Sequence, residues 1–146
     1  MYRAPLKDIF FALDDVIGHE QLSGLAGFED YSTELAESIL NEAAKFAESV
    51  LAPLNRTGDE EGSKWTPDGV VTPKGFKAAY RQFVDGGWPQ LAADPEFGGQ
   101  GVPRVLATAV QELWGASNLA FKLCPMLTQG AIEALELSGT PEQKRR

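Results

Sequence analysis

Phe83-Val84-Asp85-Gly86-Gly87-Trp88-Pro89-Gln90-Leu91-Ala92-Ala93-Asp94-Pro95-Glu96-Phe97-Gly98-Gly99-Gln100-Gly101 separates two segments of strong helical period. Five glycines and two prolines in this stretch rule out one helix running through it. Phe83, Trp88, Leu91 and Phe97 nevertheless carry too much apolar surface for a solvated linker. The stretch therefore predicts a folded crossover, pinned against the helices it joins. Before it, Phe76, Ala79, Tyr80 and Phe83 fall on one helical face, with Thr72-Pro73 as cap and first turn and Gly86-Gly87 as the stop. After it, Pro103 opens a helix whose stripe is Leu106, Ala109, Val110, Leu113 and Trp114, Ala107 and Ala116 allow close packing, and Gly115 closes it. The implied fold class is all-α, with helices joined by a glycine-rich crossover.

Upstream, Ser32 or Thr33 caps a long helix with Glu34 and Glu37 near its positive end. Leu35, Ile39, Ala43, Phe46, Ala47, Val50, Leu51 and Leu54 form its stripe, and Pro53 is expected to end it. Residues 55–70 read as turn chemistry throughout, with Trp65 anchoring the loop and Asp59, Glu60 and Glu61 as a solvated run. That run lacks the alternating oxygen ligands of a calcium loop. Still earlier, Pro5 starts a short helix with Leu6, Ile9, Leu13, Val16 and Ile17 in register and Phe10 and Phe11 widening the stripe. Gly18 ends it, and Gly24 and Gly27 break up the segment between this helix and the long one.

Downstream, Ser117 or Asn118 caps a short helix through Leu123, and Pro125 marks a junction to another carrying Met126, Leu127, Ala131, Ile132, Leu135 and Leu137. Between Leu119 and Ala134 the only charges are Lys122 and Glu133, which places this stretch inside protein or against an apolar cavity. Thr140-Pro141-Glu142-Gln143 is a helix start: cap, first-turn proline, and glutamine three positions on. A start signal so near Arg146 predicts a domain cut from a longer protein.

The chain has 146 residues, 43% of them hydrophobic, enough for one substantial core. Its net charge of −8 and pI near 4.6 argue against nucleic acid and acidic membrane surfaces as partners. No 18-residue apolar run and no signal-peptide pattern is present. Cys124, the one cysteine, cannot form an internal disulfide, which favours a reducing, cytoplasmic setting. With His19 as the one histidine, at a helix end or on the surface, neither a Cys-His pair nor a metal site is indicated. Gly98-Gly99-Gln100-Gly101 lacks the preceding strand and the lysine of a phosphate loop, so its glycines are expected to serve backbone geometry.

Several stretches together resemble the acyl-CoA dehydrogenase family. Glu42-Ala43-Ala44-Lys45-Phe46-Ala47 and Val50-Leu51-Ala52-Pro53-Leu54-Asn55 are similar to its first main helix. Gly86-Gly87-Trp88 with Asp94-Pro95-Glu96-Phe97-Gly98-Gly99-Gln100-Gly101 resembles its glycine-rich connection. Glu112, Ser117-Asn118-Leu119-Ala120-Phe121, Leu127-Thr128-Gln129-Gly130-Ala131 and Thr140-Pro141-Glu142-Gln143-Lys144 continue the likeness in order. Residues 1–31 resemble the helical extension of a larger bacterial subgroup, which includes 3-methylmercaptopropionyl-CoA and long-chain dehydrogenases, and residues 32–146 its amino-terminal helical domain.

The resemblance implies an FAD-dependent parent enzyme that desaturates acyl-CoA thioesters between the alpha and beta carbons, a homo-oligomer passing electrons to an acceptor. It also implies that the catalytic base and most flavin contacts lie in a middle β-domain and a carboxy-terminal domain, so this chain alone is expected to be inactive. Glu112 and Glu133 are then surface or salt-bridged carboxylates and no catalytic residue is assigned. The resemblance places an acyl-pocket wall at Leu119, Ala120, Phe121, Cys124, Pro125, Leu127 and Thr128, with plain core packing as the competing reading of each. Ala120, Cys124 and Thr128 share a face only if the helix is continuous. The alternative functions are a noncatalytic binding or assembly module and an inactive gene fragment.

Overall fold

The structure, a computed structural model, describes residues 2–26, 28, 29 and 31–145, and of His19 the backbone alone. The expectations placed on Gly27 and on the His19 side chain lie outside the described residues. Helix α1 spans Leu6–Phe10 and passes into a π-helical run at Phe11–Ile17; a short α2 comes next at His19–Ser23. Ile9 and Leu13 are buried, whereas Val16 is exposed although the 3.6 period put it in the stripe. The wider π turn advances each residue by a smaller angle, which swings Val16 outward. Gly18 ends the run as expected, its N–H bonding Leu13 O five residues back.

Helix α3, Thr33–Phe46, is capped by Ser32 Oγ, which accepts from Leu35 N at 3.1 Å. Its buried line is Ala36, Leu40, Ala43 and Ala44, so Leu40 joins the core and Leu35 faces outward, while Ile39, Ala43 and Phe46 of the expected stripe are buried or packed against the core. The small residues allow α6 (Arg104–Ser117) to approach closely. Pro53 does not terminate the helix. A π-helical turn at Ala47–Leu51 comes first, with Ala52 N bonding Ala47 O, and α4 then continues through Ala52–Glu61. Proline clashes with the carbonyl four residues before it, and widening that turn moves those carbonyls out of the α-helical register.

Residues 55–70 are therefore not turn throughout: after α4 comes a two-stranded antiparallel hairpin, β1 Lys64–Thr66 and β2 Gly69–Val71. Trp65 pairs across it with Val70, yet is 79% exposed and anchors nothing. Helix α5, Phe76–Asp85, begins after Gly75 rather than at Thr72-Pro73. The crossover then folds as expected, through 3₁₀ turns at Trp88–Gln90 and Pro95–Phe97. It closes on itself through Gln100 N to Gln90 O, Gly101 N to Ala93 O and Val102 N to Leu91 O, at 2.9, 3.1 and 3.0 Å. Gly99 is required there, since a β-carbon would lie 1.9 Å from Ala93 O.

Helix α6 runs past Gly115 to Ser117, where Asn118 turns the chain into α7, Leu119–Ser138. Ala116 is exposed, so Ala107 alone of the two predicted spacers is buried against neighbours. Helix α7 is continuous with Pro125 inside it, in place of the expected junction. A mid-helix proline costs about 3 kcal/mol. Both flanks are held: Phe121 is buried on one side, and Glu133 pairs with Arg104 on the other. The predicted start at Thr140 is a full capping box opening α8, Pro141–Lys144.

The core lies between α3 with its π turn, α5, α6 and the start of α7. Aromatic rings fill its centre: Phe46 meets Trp114 edge-on at 5.3 Å, Phe83 meets Phe121 at 5.6 Å, and Trp88 from the crossover meets Trp114 at 5.1 Å. Such edge-to-face pairs add to area burial. Among the described residues the fold is helical with one small hairpin.

Candidate functional site

Helix α7 carries every side chain predicted for the wall, and its continuity sorts them onto different faces. Residues four apart lie above one another on a helix. Leu119, Leu123 and Leu127, with Met126 beside them, form an apolar stripe that is open to solvent, Leu127 being 71% exposed. Ala120 and Cys124 lie about 100° round the axis, and with buried Phe121 they line a cleft of about 920 Å³ between α4, the segments flanking the hairpin, α5 and α7. Thr128 is exposed beyond the cleft and Pro125 is buried. Of the seven predicted residues the structure thus gathers Ala120, Phe121 and Cys124 at one cleft, and leaves Leu119, Leu127 and Thr128 outside it.

Sequence reasoning missed the opposite wall of that cleft. Because α4 continues past Pro53, Asn55, Arg56 and Asp59 reach it. Gly58 is buried beneath the Phe76 ring, which lies 2.6 Å from where a glycine-replacing β-carbon would sit. Phe76 and Tyr80 both approach Phe121, with ring centroids 6.4 and 6.3 Å apart, and make the apolar floor. Lys77 and Arg81 stand on the rim, exposed and four residues apart on α5. Arg56 Nε is engaged by Glu60 Oε1 at 2.8 Å, whereas among the described residues no ion pair engages Lys77 or Arg81. The i, i+4 spacing of Phe76-Tyr80 and of Lys77-Arg81 was the legible signal.

Other candidates resolve simply. The amides of Gly99, Gln100 and Gly101 are spent on Asp94 O, Gln90 O and Ala93 O, so this turn does not fit a flavin or nucleotide phosphate. Glu133 is paired with Arg104. The hollow beneath Trp88 and Trp114 is about 50 Å³, too small for an organic ligand. Among the described residues there is no group of three or more His, Cys, Asp and Glu placed to hold a metal ion, and no helix is long and apolar enough to cross a membrane.

The segment before α1 lies against Glu48 of the π turn. Ala4 N donates to Glu48 Oε1 at 2.8 Å and Arg3 pairs with Oε2 at 3.4 Å. The buried Tyr2 hydroxyl has no hydrogen-bond partner among the described residues. Burial raises its pKa above 10.0, helped by the charges of Glu112 and Glu48. Tyr31 is raised likewise, by burial and then by Asp14.

Residues 33–146 match the family described as acyl-CoA dehydrogenase, N-terminal domain. The chain belongs to the acyl-CoA dehydrogenase family. It is 39% identical over 143 residues to 3-methylmercaptopropionyl-CoA dehydrogenase of Ruegeria pomeroyi, an alignment covering 98% of this chain and 24% of that protein. It is 28% identical over 149 residues to a broad-specificity linear acyl-CoA dehydrogenase of Mycobacterium tuberculosis, and 25% identical over 149 residues to a butyryl-CoA dehydrogenase of Syntrophomonas wolfei, each covering 99% of this chain and 24% of the relative. The acyl-CoA dehydrogenase domain described here thus spans about a quarter of the length of these relatives. The family match starts at the first residue of α3, and the longer alignments take in most of the segment before it.

Proposed function

We propose that this chain is the amino-terminal helical portion of an FAD-dependent acyl-CoA dehydrogenase, and that α7 walls the acyl chain of the thioester. The open stripe of Leu119, Leu123 and Leu127 carries this reading: it is an apolar helix face within a domain of this family, and an alkyl tail and the protein around it are what such a face buries. Thr128 continues the Ala120–Cys124 row one turn on, beyond the cleft toward which Ala120, Phe121 and Cys124 turn. The likeness to the Ruegeria protein, together with the aligned segment before α3, supports placement in the larger bacterial subgroup, with residues 1–31 as its helical extension.

In this reading the stripe fixes the tail and excludes water from the reacting carbons. Acceptance of the hydride released from the beta carbon is chemistry a flavin would supply when bound. The alpha-proton base and the flavin site belong to the remainder of the enzyme, so the 146-residue chain by itself is inactive. Dye-coupled acyl-CoA oxidation tests this: turnover is expected when the remaining domains are joined to the chain, and robust turnover by the chain alone would overturn it.

The exposed Leu135 and Leu137, continuing the apolar character of α7, favour one second reading, an assembly module that docks onto a separate polypeptide bearing the missing domains. Co-purification with such a polypeptide supports that reading, and a monodisperse monomer in its presence counts against it.

A further inference from the structure

We propose that the cleft between α4, the segments flanking the hairpin, α5 and α7 is a binding site for an amphipathic anion, an apolar chain ending in a carboxylate or phosphate, separate from the α7 stripe and independent of the acyl-CoA reading. Its volume of about 920 Å³ is that of a small-molecule site. Phe76, Tyr80 and Phe121 give it a floor of mutually tilted rings, and Ala120 leaves the space above them open. An alkyl chain laid there removes the exposed part of Tyr80 from water.

Charge selects the other end of the ligand. The chain carries −8 overall, yet three cations line this cleft against one carboxylate, Asp59. Arg56 is held by Glu60, which leaves Lys77 and Arg81 to face a ligand. Their i, i+4 spacing on α5 puts the two head groups side by side, within reach of one oxyanion. A cationic or neutral ligand gains nothing from that pair.

The test is an NMR titration of the ¹⁵N-labelled chain with octanoate, octyl phosphate and 1-octanol. Octanoate or octyl phosphate is expected to shift the amides of Lys77, Arg81, Ala120 and Cys124, and whichever binds tighter tells whether a free acid or a phosphate is the matching head group. The Lys77→Gln/Arg81→Gln double variant, altering two exposed side chains, is expected to bind the preferred anion about tenfold more weakly while octanol binding is unchanged. Ala120→Trp is expected to block all three ligands, and Leu127→Ser to leave them alone. Shifts confined to Leu119, Leu123 and Leu127, absence of any binding, or equal anion affinity in the double variant would overturn the proposal.

Discussion

The Asn118 side chain, 1% exposed, donates from Nδ2 to Leu51 O at 3.1 Å and accepts from Phe121 N at 3.0 Å. One buried amide therefore caps α7 and ties the α6–α7 corner to the π turn of the long helix. Asn118→Ala leaves a buried carbonyl and a helix-start N–H without those partners, and is expected to cost about 2–4 kcal/mol in urea unfolding. Gly99→Ala is expected to cost at least about 3 kcal/mol by the same measurement, because no rotamer removes a β-carbon from Ala93 O. Tyr2 behaves oppositely. Its hydroxyl is buried without a partner among the described residues, so Tyr2→Phe should leave neutral-pH stability unchanged or slightly higher. The raised pKa means that the unfolded chain loses its phenolic proton first. Stability from this group is then full below 10.0 and falls as pH rises through the folded value. Urea midpoints on either side of pH 10.0 should fall less steeply in Tyr2→Phe than in the parent; an unchanged slope would remove Tyr2 from the alkaline response.

At the scale of elements, periodicity and caps marked where helices lie, and two prolines hid how far they run. Pro53 and Pro125 are helix breakers by local sterics, and both sit inside helices because tertiary packing or a widened turn accommodates them. The crossover was legible since its glycines and aromatics sit together in sequence. The cleft was not, since its walls come from α4, α5 and α7, and reading residues 55–61 as turn removed one wall altogether. The hairpin escaped notice because Lys64–Thr66 and Gly69–Val71 are too short to show a period. Two tryptophans separate these cases. Trp65→Thr, on the exposed hairpin, is expected to change stability by no more than about 0.5 kcal/mol, whereas Trp114→Ala, 2% exposed among Phe46, Phe83 and Trp88, is expected to cost about 3–5 kcal/mol. Thermal unfolding of both variants checks the contrast, and comparable losses would mean that the hairpin is packed.

For the whole molecule, the decisive asymmetry lies between the faces of α7: Phe121 and Pro125 are buried, while Leu119, Leu123 and Leu127 meet solvent. A water-facing leucine row is an exposed apolar surface of the kind that marks an interaction site. Family membership was readable from ordered motifs. Which α7 residues face which surface required the continuous helix, since a break at Pro125 would have severed the row. The most direct measurement is the acyl chain-length profile of kcat/KM for the complete enzyme carrying Leu127→Trp. Filling the stripe is expected to leave short thioesters nearly unaffected and to lower long ones by at least about tenfold. A profile identical to that of the unaltered enzyme would contradict α7 as the acyl wall.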